Sequence, residues 1–228
     1  GKRPFFAYAA FTAPHDPRIW PRGYETKYEA AKLPLPANFR SEHPFDHGNI
    51  RGRDELLLPF PRTADDVQQE LACYYAVISH LDEQIGRILQ ALDDSGKRDN
   101  TIVIFTSDHG LAIGSHGLIG KQNMYEHTIN VPLIMALPGR FTAGLRSDAL
   151  VELTDIMPTL MECAGLPIPD DVQGRSLLPI LTGAASPHEH REFVRTECYS
   201  AFDMPNHTFA TMYRERRWKL VVYHGVGV

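Results

Sequence analysis

A long amphipathic helix that stops at a glycine and runs almost at once into a short apolar strand constrains this chain more than any other feature. Leu71, Tyr74, Tyr75, Ile78, Leu81, Ile85, Ile88, Leu89 and Leu92 recur at steps of three and four, marking one face of a helix over 64–95. Thr63 with Asp66 resembles a capping box at its start, and Gly96 closes its end. Thr101-Ile-Val-Ile-Phe105 follows, a continuous, β-branched run that suits a central parallel strand covered on both faces. Val131 to Leu137 is a second run of the same kind. Residues 4–11, Pro-Phe-Phe-Ala-Tyr-Ala-Ala-Phe, read as a further buried strand that Pro14 and Pro17 turn into a loop. Strands alternating with helices imply an α/β domain with a mostly parallel central sheet flanked by helices.

Residues 33–62 hold Pro34, Pro36, Pro44, Pro59 and Pro61 and show no period. An irregular segment this long either carries solvated charges, here Arg40, His43, His47, Arg51 and Arg53, or forms a substrate-facing lid. Thr154 is the expected cap of a short helix that ends near Gly165, with Pro158 in its first turn. From about Ser176 the texture changes. Leu177 to Leu181 reads as a short helix, and Thr208 to Tyr213 and Trp218 to Tyr223 as paired strands around Arg214–Arg217. The expected division is residues 1–175 as part of an α/β domain and 176–228 as the beginning of a small C-terminal α+β unit.

Composition excludes more than it assigns. The net charge is −5, with 23 basic and 28 acidic residues and no like-charge run, so nucleic acid is not an expected partner. Any anionic substrate must be held by a few local cations. No stretch reaches the roughly 18 apolar residues of a membrane span, and no signal peptide is visible. The abrupt opening into a strand suggests that the natural N-terminus is missing. Three cysteines, Cys73, Cys163 and Cys198, argue against a disulfide framework.

The chemistry-bearing stretch is Thr106-Ser107-Asp108-His109-Gly110, directly after the Thr101–Phe105 run. Ligands of open α/β sheets bind beyond the C-terminal ends of strands. A carboxylate and an imidazole there suit a metal or acid–base site, although the same triplet also serves as a plain loop. Gly114, Gly117 and Gly120 make the next ten residues a tightly turning loop, closed by Lys121, which points either inward at an anion or out to solvent. His15 stands at the equivalent end of the strand over 4–11. If those strands share a sheet, His15, Lys121 and Asp108–His109 converge where a tetrahedral anion could lie beside a cation, with a proton donor at hand.

These residues resemble the sulfatases of the alkaline-phosphatase superfamily. The block from Thr101 to Lys121 is similar to that family's second metal-binding segment. Met124-Tyr-Glu-His127, Val131-Pro-Leu-Ile134, Pro4-Phe-Phe6 to Ala13-Pro-His15, Thr154-Asp-Ile-Met-Pro-Thr159, Gly174-Arg-Ser-Leu-Leu178 and Arg217-Trp-Lys-Leu-Val221 are also family-like. The resemblance implies an alkaline-phosphatase-like α/β fold. It gives Asp108 and His109 as ligands of a divalent cation, usually Ca2+, with Mg2+ or Mn2+ as alternatives. Lys121 would contact the sulfate group, and His15 would contact it and protonate the leaving oxygen. His116, in the same loop, is a candidate substrate contact.

The chain departs from the family in one respect. The family's nucleophile is a formylglycine made within a Cys/Ser-X-Pro-X-Arg motif, and no such motif occurs in the 228 residues. Paired aspartates following an N-terminal strand are also not found. Both are expected upstream of the Pro4-Phe-Phe strand, so the chain is expected to be a fragment lacking the formylglycine segment. The expected activity of the parent is metal-dependent hydrolysis of a sulfated carbohydrate or similar sulfate ester, in the periplasm or secreted. A phosphodiesterase or phosphonate monoester hydrolase of the same superfamily, and a non-catalytic binding fragment, are the alternatives. The residues do not define an oligomeric state.

Overall fold

Thr63 starts the main helix as its sequence implies: its hydroxyl accepts the Asp66 amide at 3.1 Å, and α1 (Ala64–Asp94) follows. Gly96, in the left-handed region at φ +67°, ends it. The computed structural model describes residues 4–199 and 209–224. The N-terminal half of α1 buries Val67, Leu71, Ala72, Cys73, Ala76 and Val77. Val67 and Leu71 pack against Ile113, with Leu33, Leu35, Phe39, Leu58 and Leu111 around them. Each such burial contributes about 1.5–3 kcal/mol. This end of the helix is therefore clamped to the irregular segment and to the glycine-rich loop. Ile78 and Ile88, farther along the same stripe, are exposed.

The two apolar runs form strands, β1 (Val103–Thr106) and β2 (Leu133–Ala136), but they pair antiparallel, from Val103 opposite Ala136 to Thr106 opposite Leu133. This corrects the expectation that both lie parallel. A continuous apolar run reports coverage and carries no information on strand direction. Coverage is also incomplete, since Ile134 is 61% exposed. Residues 4–11 form no strand and are exposed, Phe6 by 81% and Tyr8 by 84%. The aromatic run has β-propensity, but no partner strand pairs with it among the described residues, so the reading of a buried strand is overturned.

After β1 come α2 (Glu126–Ile129), β2 and α3 (Ile156–Cys163). The cap of α3 is not Thr154. A helical turn at Leu153–Asp155 precedes it, and Glu152 and Asp155 cap that turn reciprocally, Asp155 accepting the Glu152 amide at 2.8 Å. Pro158 sits in the first turn of α3 and Gly165 follows its end, as expected. Asp155 is fully buried and also accepts the Arg175 amide at 2.7 Å. The Thr159 hydroxyl accepts the Leu177 amide at 2.8 Å. The family-like segments 154–159 and 174–178 are thus fastened to one another, just ahead of α4 (Leu178–Leu181).

The C-terminal part is a three-stranded antiparallel sheet, β3 (Phe193–Cys198), β4 (Phe209–Glu215) and β5 (Lys219–His224). The β4–β5 hairpin matches the expected pair; Thr208 and the closing Gly225–Val228 lie outside the described residues. β3 was not expected, because Arg195 and Glu197 interrupt its apolar pattern. Ala210 and Met212 of β4 bury themselves on Met124, three residues past Lys121, with Val194, Val221 and Tyr223 alongside. Lys219 donates to the Met124 carbonyl and to Glu126, both at 2.9 Å. No described helix is long and apolar enough to cross a membrane. All three cysteines are free.

Candidate active site

The loop from Leu111 to Gly120 folds back on itself. The Ala112 amide donates to the Gly120 carbonyl at 3.0 Å and the Gly114 amide to Leu118 at 2.7 Å. Two of its glycines are required by contact. A Cβ on Gly117, itself at φ +78°, would lie 2.4 Å from the Glu42 carbonyl carbon, and one on Gly120 would lie 2.8 Å from the Asp54 Cβ. The irregular segment is therefore pressed directly against this loop.

Glu55 makes that contact specific. Its carboxylate is buried and accepts the Ile119 amide at 2.9 Å and the Gly120 amide at 2.8 Å, while Arg62 donates to it at 3.0 Å. Burial pushes the Glu55 carboxyl above its ordinary range, and the two amides and Arg62 offset only part of that. Burial likewise lowers Arg62. The loop end that carries Lys121 is thereby fixed from below.

Lys121 then reaches two partners. Its Nζ lies 2.8 Å from His15 Nε2 and 3.0 Å from Asp54 Oδ2. Asp54 is buried and also accepts Gln122 Nε2 at 2.9 Å and Arg53 Nη1 at 2.7 Å. Burial raises the Asp54 carboxyl, but the hydrogen bonds from Gln122, Lys121 and Arg53 outweigh it, so the group sits below the usual carboxylate range. Arg53 pairs in addition with Asp16. The His15 Nδ1 lies 2.7 Å from the Asp16 carbonyl oxygen. A carbonyl only accepts, so this network assigns the proton to Nδ1 and leaves Nε2 as acceptor for the Lys121 ammonium. His15 is positioned by a turn, its amide donating to the Thr12 carbonyl at 2.9 Å, and not by the expected strand.

Asp108 and His109 follow β1 as expected. The Asp108 side chain is 85% exposed, and its Oδ2 lies 3.6 Å from His109 Nε2. His109 Nδ1 faces the Gly110 carbonyl at 3.1 Å, which leaves Nε2 with a free lone pair. Among the described residues no hydrogen bond or ion pair links either to His15 or Lys121. One carboxylate and one imidazole fall short of the six to eight ligands that a Ca2+ takes. Among the described residues no group of three His, Cys, Asp or Glu could hold a metal. The pair fits part of a coordination sphere and does not complete one.

His116 lies elsewhere. At φ +57° it stacks on Tyr125, with ring centroids 4.0 Å apart, and its Nε2 accepts from Asn38 at 2.9 Å. It belongs to an aromatic and imidazole cluster with His43, His47, His127 and Tyr223. Burial pushes His47 and His127 each down to about 4 and lowers His43 and His116. His43 and His47 are thus buried and not solvated loop imidazoles.

The structure unites His15 and Lys121, keeps Asp108 with His109, and seats His116 in a separate cluster. The sequence reading missed Asp16, Asp54, Glu55, Arg62 and Gln122. The one available signal was the apolar run Leu56-Leu57-Leu58-Pro59-Phe60 beside Asp54 and Glu55, which draws those carboxylates inward.

The model of the Sulfatase family matches residues 1–166. The chain belongs to the sulfatase family. A second model, N-sulphoglucosamine sulphohydrolase C-terminal, matches residues 114–226. This sulfatase-family chain is 35% identical over 219 residues to an arylsulfatase of Clostridium perfringens, covering 95% of the chain and 45% of that relative. It is 35% identical over 161 residues to an N-acetylglucosamine-6-O-sulfatase of Bacteroides thetaiotaomicron, covering 71% of the chain and 26% of that relative. The chain therefore spans less than half the length of these two curated relatives. The solved phosphonate monoester hydrolase of Agrobacterium radiobacter superposes with a TM-score of 0.80 at 29% identity, covering 99% of the chain and 49% of that structure. The fold is the alkaline-phosphatase-like α/β fold expected from the sequence.

Proposed function

We propose that the protein carrying this chain hydrolyses a sulfate ester, with a sulfated carbohydrate or similar ester as substrate. The observation that carries this reading is the 2.8 Å pairing of Lys121 Nζ with His15 Nε2, two groups 106 residues apart in a chain of the sulfatase family. A sulfate oxygen can take a charge-assisted hydrogen bond from the Lys121 ammonium while the ester oxygen lies near His15. As the S–O bond breaks, its electron pair stays on the leaving oxygen, and His15, once protonated at Nε2, delivers a proton there. The nucleophile is not among these residues, so a formylglycine would come from a segment outside them. Asp108 and His109 are proposed as two ligands of a divalent cation, Ca2+ first and Mg2+ or Mn2+ as alternatives, which would neutralise charge on the sulfate oxygens. His116 is proposed as a substrate contact. Placement in the periplasm or outside the cell is part of this proposal, on family grounds alone.

The similarity to a phosphonate monoester hydrolase favours a second reading, attack on a phosphonate ester at the same site. Parallel assays of the full-length protein on an aryl sulfate and an aryl phosphonate monoester separate the two. The sulfatase reading expects the larger kcat/KM on the sulfate. A larger value on the phosphonate supports the second reading, and glycan binding without turnover of either supports a binding role.

A further inference from the structure

We infer that Asp54 is a positioning residue for the Lys121–His15 pair, an inference that rests on the reading of that pair as the ester-binding site. Lys121 has three N–H donors. Asp54 takes one at 3.0 Å and His15 Nε2 another at 2.8 Å, and among the described residues the third has no partner. Asp54 therefore fixes which way the remaining donor points, and so where a sulfo or phosphoryl oxygen is held.

The geometry is a closed ring. Lys121 joins Asp54, Asp54 joins Arg53, Arg53 joins Asp16, and Asp16 returns to His15. Its members come from three separated stretches of chain, the Thr12–Asp16 turn, the irregular segment and the end of the glycine-rich loop. The groups facing the Lys121 amine are His15 from the first, Asp54 with Arg53 behind it from the second, and Gln122 beside it. Glu55, next in sequence to Asp54, has its oxygens occupied by the Ile119 and Gly120 amides and by Arg62. Asp54 is thus the one carboxylate that pairs with the Lys121 amine, among the described residues, where it also meets the His15 imidazole. Because Asp54 is buried and accepts from Lys121, Gln122 and Arg53 together, an asparagine there would turn an N–H2 group toward at least one donor.

The test uses the full-length protein and Asp54→Asn. The Lys121 amine is followed by competitive acetylation across pH, read by mass spectrometry of the peptide that contains it. The pH profile of kcat/KM is followed on whichever ester, sulfate or phosphonate, the protein turns over. Loss of the carboxylate charge is expected to lower the Lys121 titration by about one pH unit and to move the basic limb of the profile to lower pH with it. Asp54→Glu, which restores the charge, is expected to return both. Should Asp54→Asn not fold, Arg53→Met at an exposed side chain removes the competing cation, and both readouts move to higher pH. A Lys121 titration and a basic limb that stay at their wild-type positions, whatever happens to Tm, overturn the inference. Failure of the ester-hydrolase reading looks different, with no turnover of either ester while the Lys121 titration still moves.

Discussion

Glu55→Ala is expected to be among the most damaging single changes outside the apolar core. The substitution leaves the Arg62 guanidinium, whose side chain is fully buried, without its 3.0 Å partner, and it orphans the Ile119 and Gly120 amides. Breaking one side of a buried ion pair costs about 3–5 kcal/mol. Each amide left dry costs a further 1–3 kcal/mol or so. Water entering the vacated carboxylate space recovers most of the second contribution, so the expected loss is about 5 kcal/mol, a large share of a typical total of roughly 5–15 kcal/mol. Urea unfolding should show a midpoint lower by about 1.5 M or more at an unchanged slope. Hydrogen exchange at Ile119 and Gly120 should quicken in the folded protein. The double variant Glu55→Ala with Arg62→Met should recover much of the loss, because the unpaired charge is then gone. A loss below about 1 kcal/mol, or simple additivity of the two changes, would refute the account of Glu55 as the anchor of the loop.

Three further outcomes are expected. Gly117→Ala combines a φ of +78° with a Cβ 2.4 Å from the Glu42 carbonyl carbon, and should cost at least about 2 kcal/mol, read as a fall in Tm. Burial holds His47 near 4 against an ordinary value of 6.5, so the unfolded chain binds the extra proton between those values and stability falls as pH drops through that window. The loss attributable to His47 should be about 2 kcal/mol at pH 5, and His47→Gln should flatten the pH dependence of the urea midpoint by that amount. Residues 1–228 alone should bind Ca2+ with a Kd weaker than about 1 mM in calorimetry and should not turn over an aryl sulfate; micromolar affinity or turnover would contradict the incomplete ligand set.

The local elements were legible where a single short-range cause sets them. Thr63, the stripe from Leu71 and the stop at Gly96 define α1, and the polar run Arg214–Arg217, whose last two residues make the bend, marks the β4–β5 hairpin. Pairing direction was not legible, because β1 and β2 are apolar runs without alternation. Residues 4–11 show the same limit, since a strand exists only through a partner that its own residues do not name. In the site, Asp108, His109 and Lys121 stood out through the glycine-rich loop that joins them. Asp54 and Glu55 did not, because a carboxylate in an aperiodic segment looks solvated until the fold shows which amides and cations it meets.

A mobile lid would present its charges to solvent or substrate and keep few ties to the body. Residues 33–62 do the reverse. His43 and His47 are buried, Leu33, Leu35, Phe39 and Leu58 pack on the core around Val67, and Arg62 and Glu55 are paired beneath the loop. Opening such a segment would expose the Glu55–Arg62 pair and several apolar side chains at once, at a cost of several kcal/mol on the scale of about 1.5–3 kcal/mol per apolar side chain. Its contact with Lys121 through Asp54 is therefore a fixed support. Any specificity it confers comes from where it holds the ammonium and not from closure over a substrate.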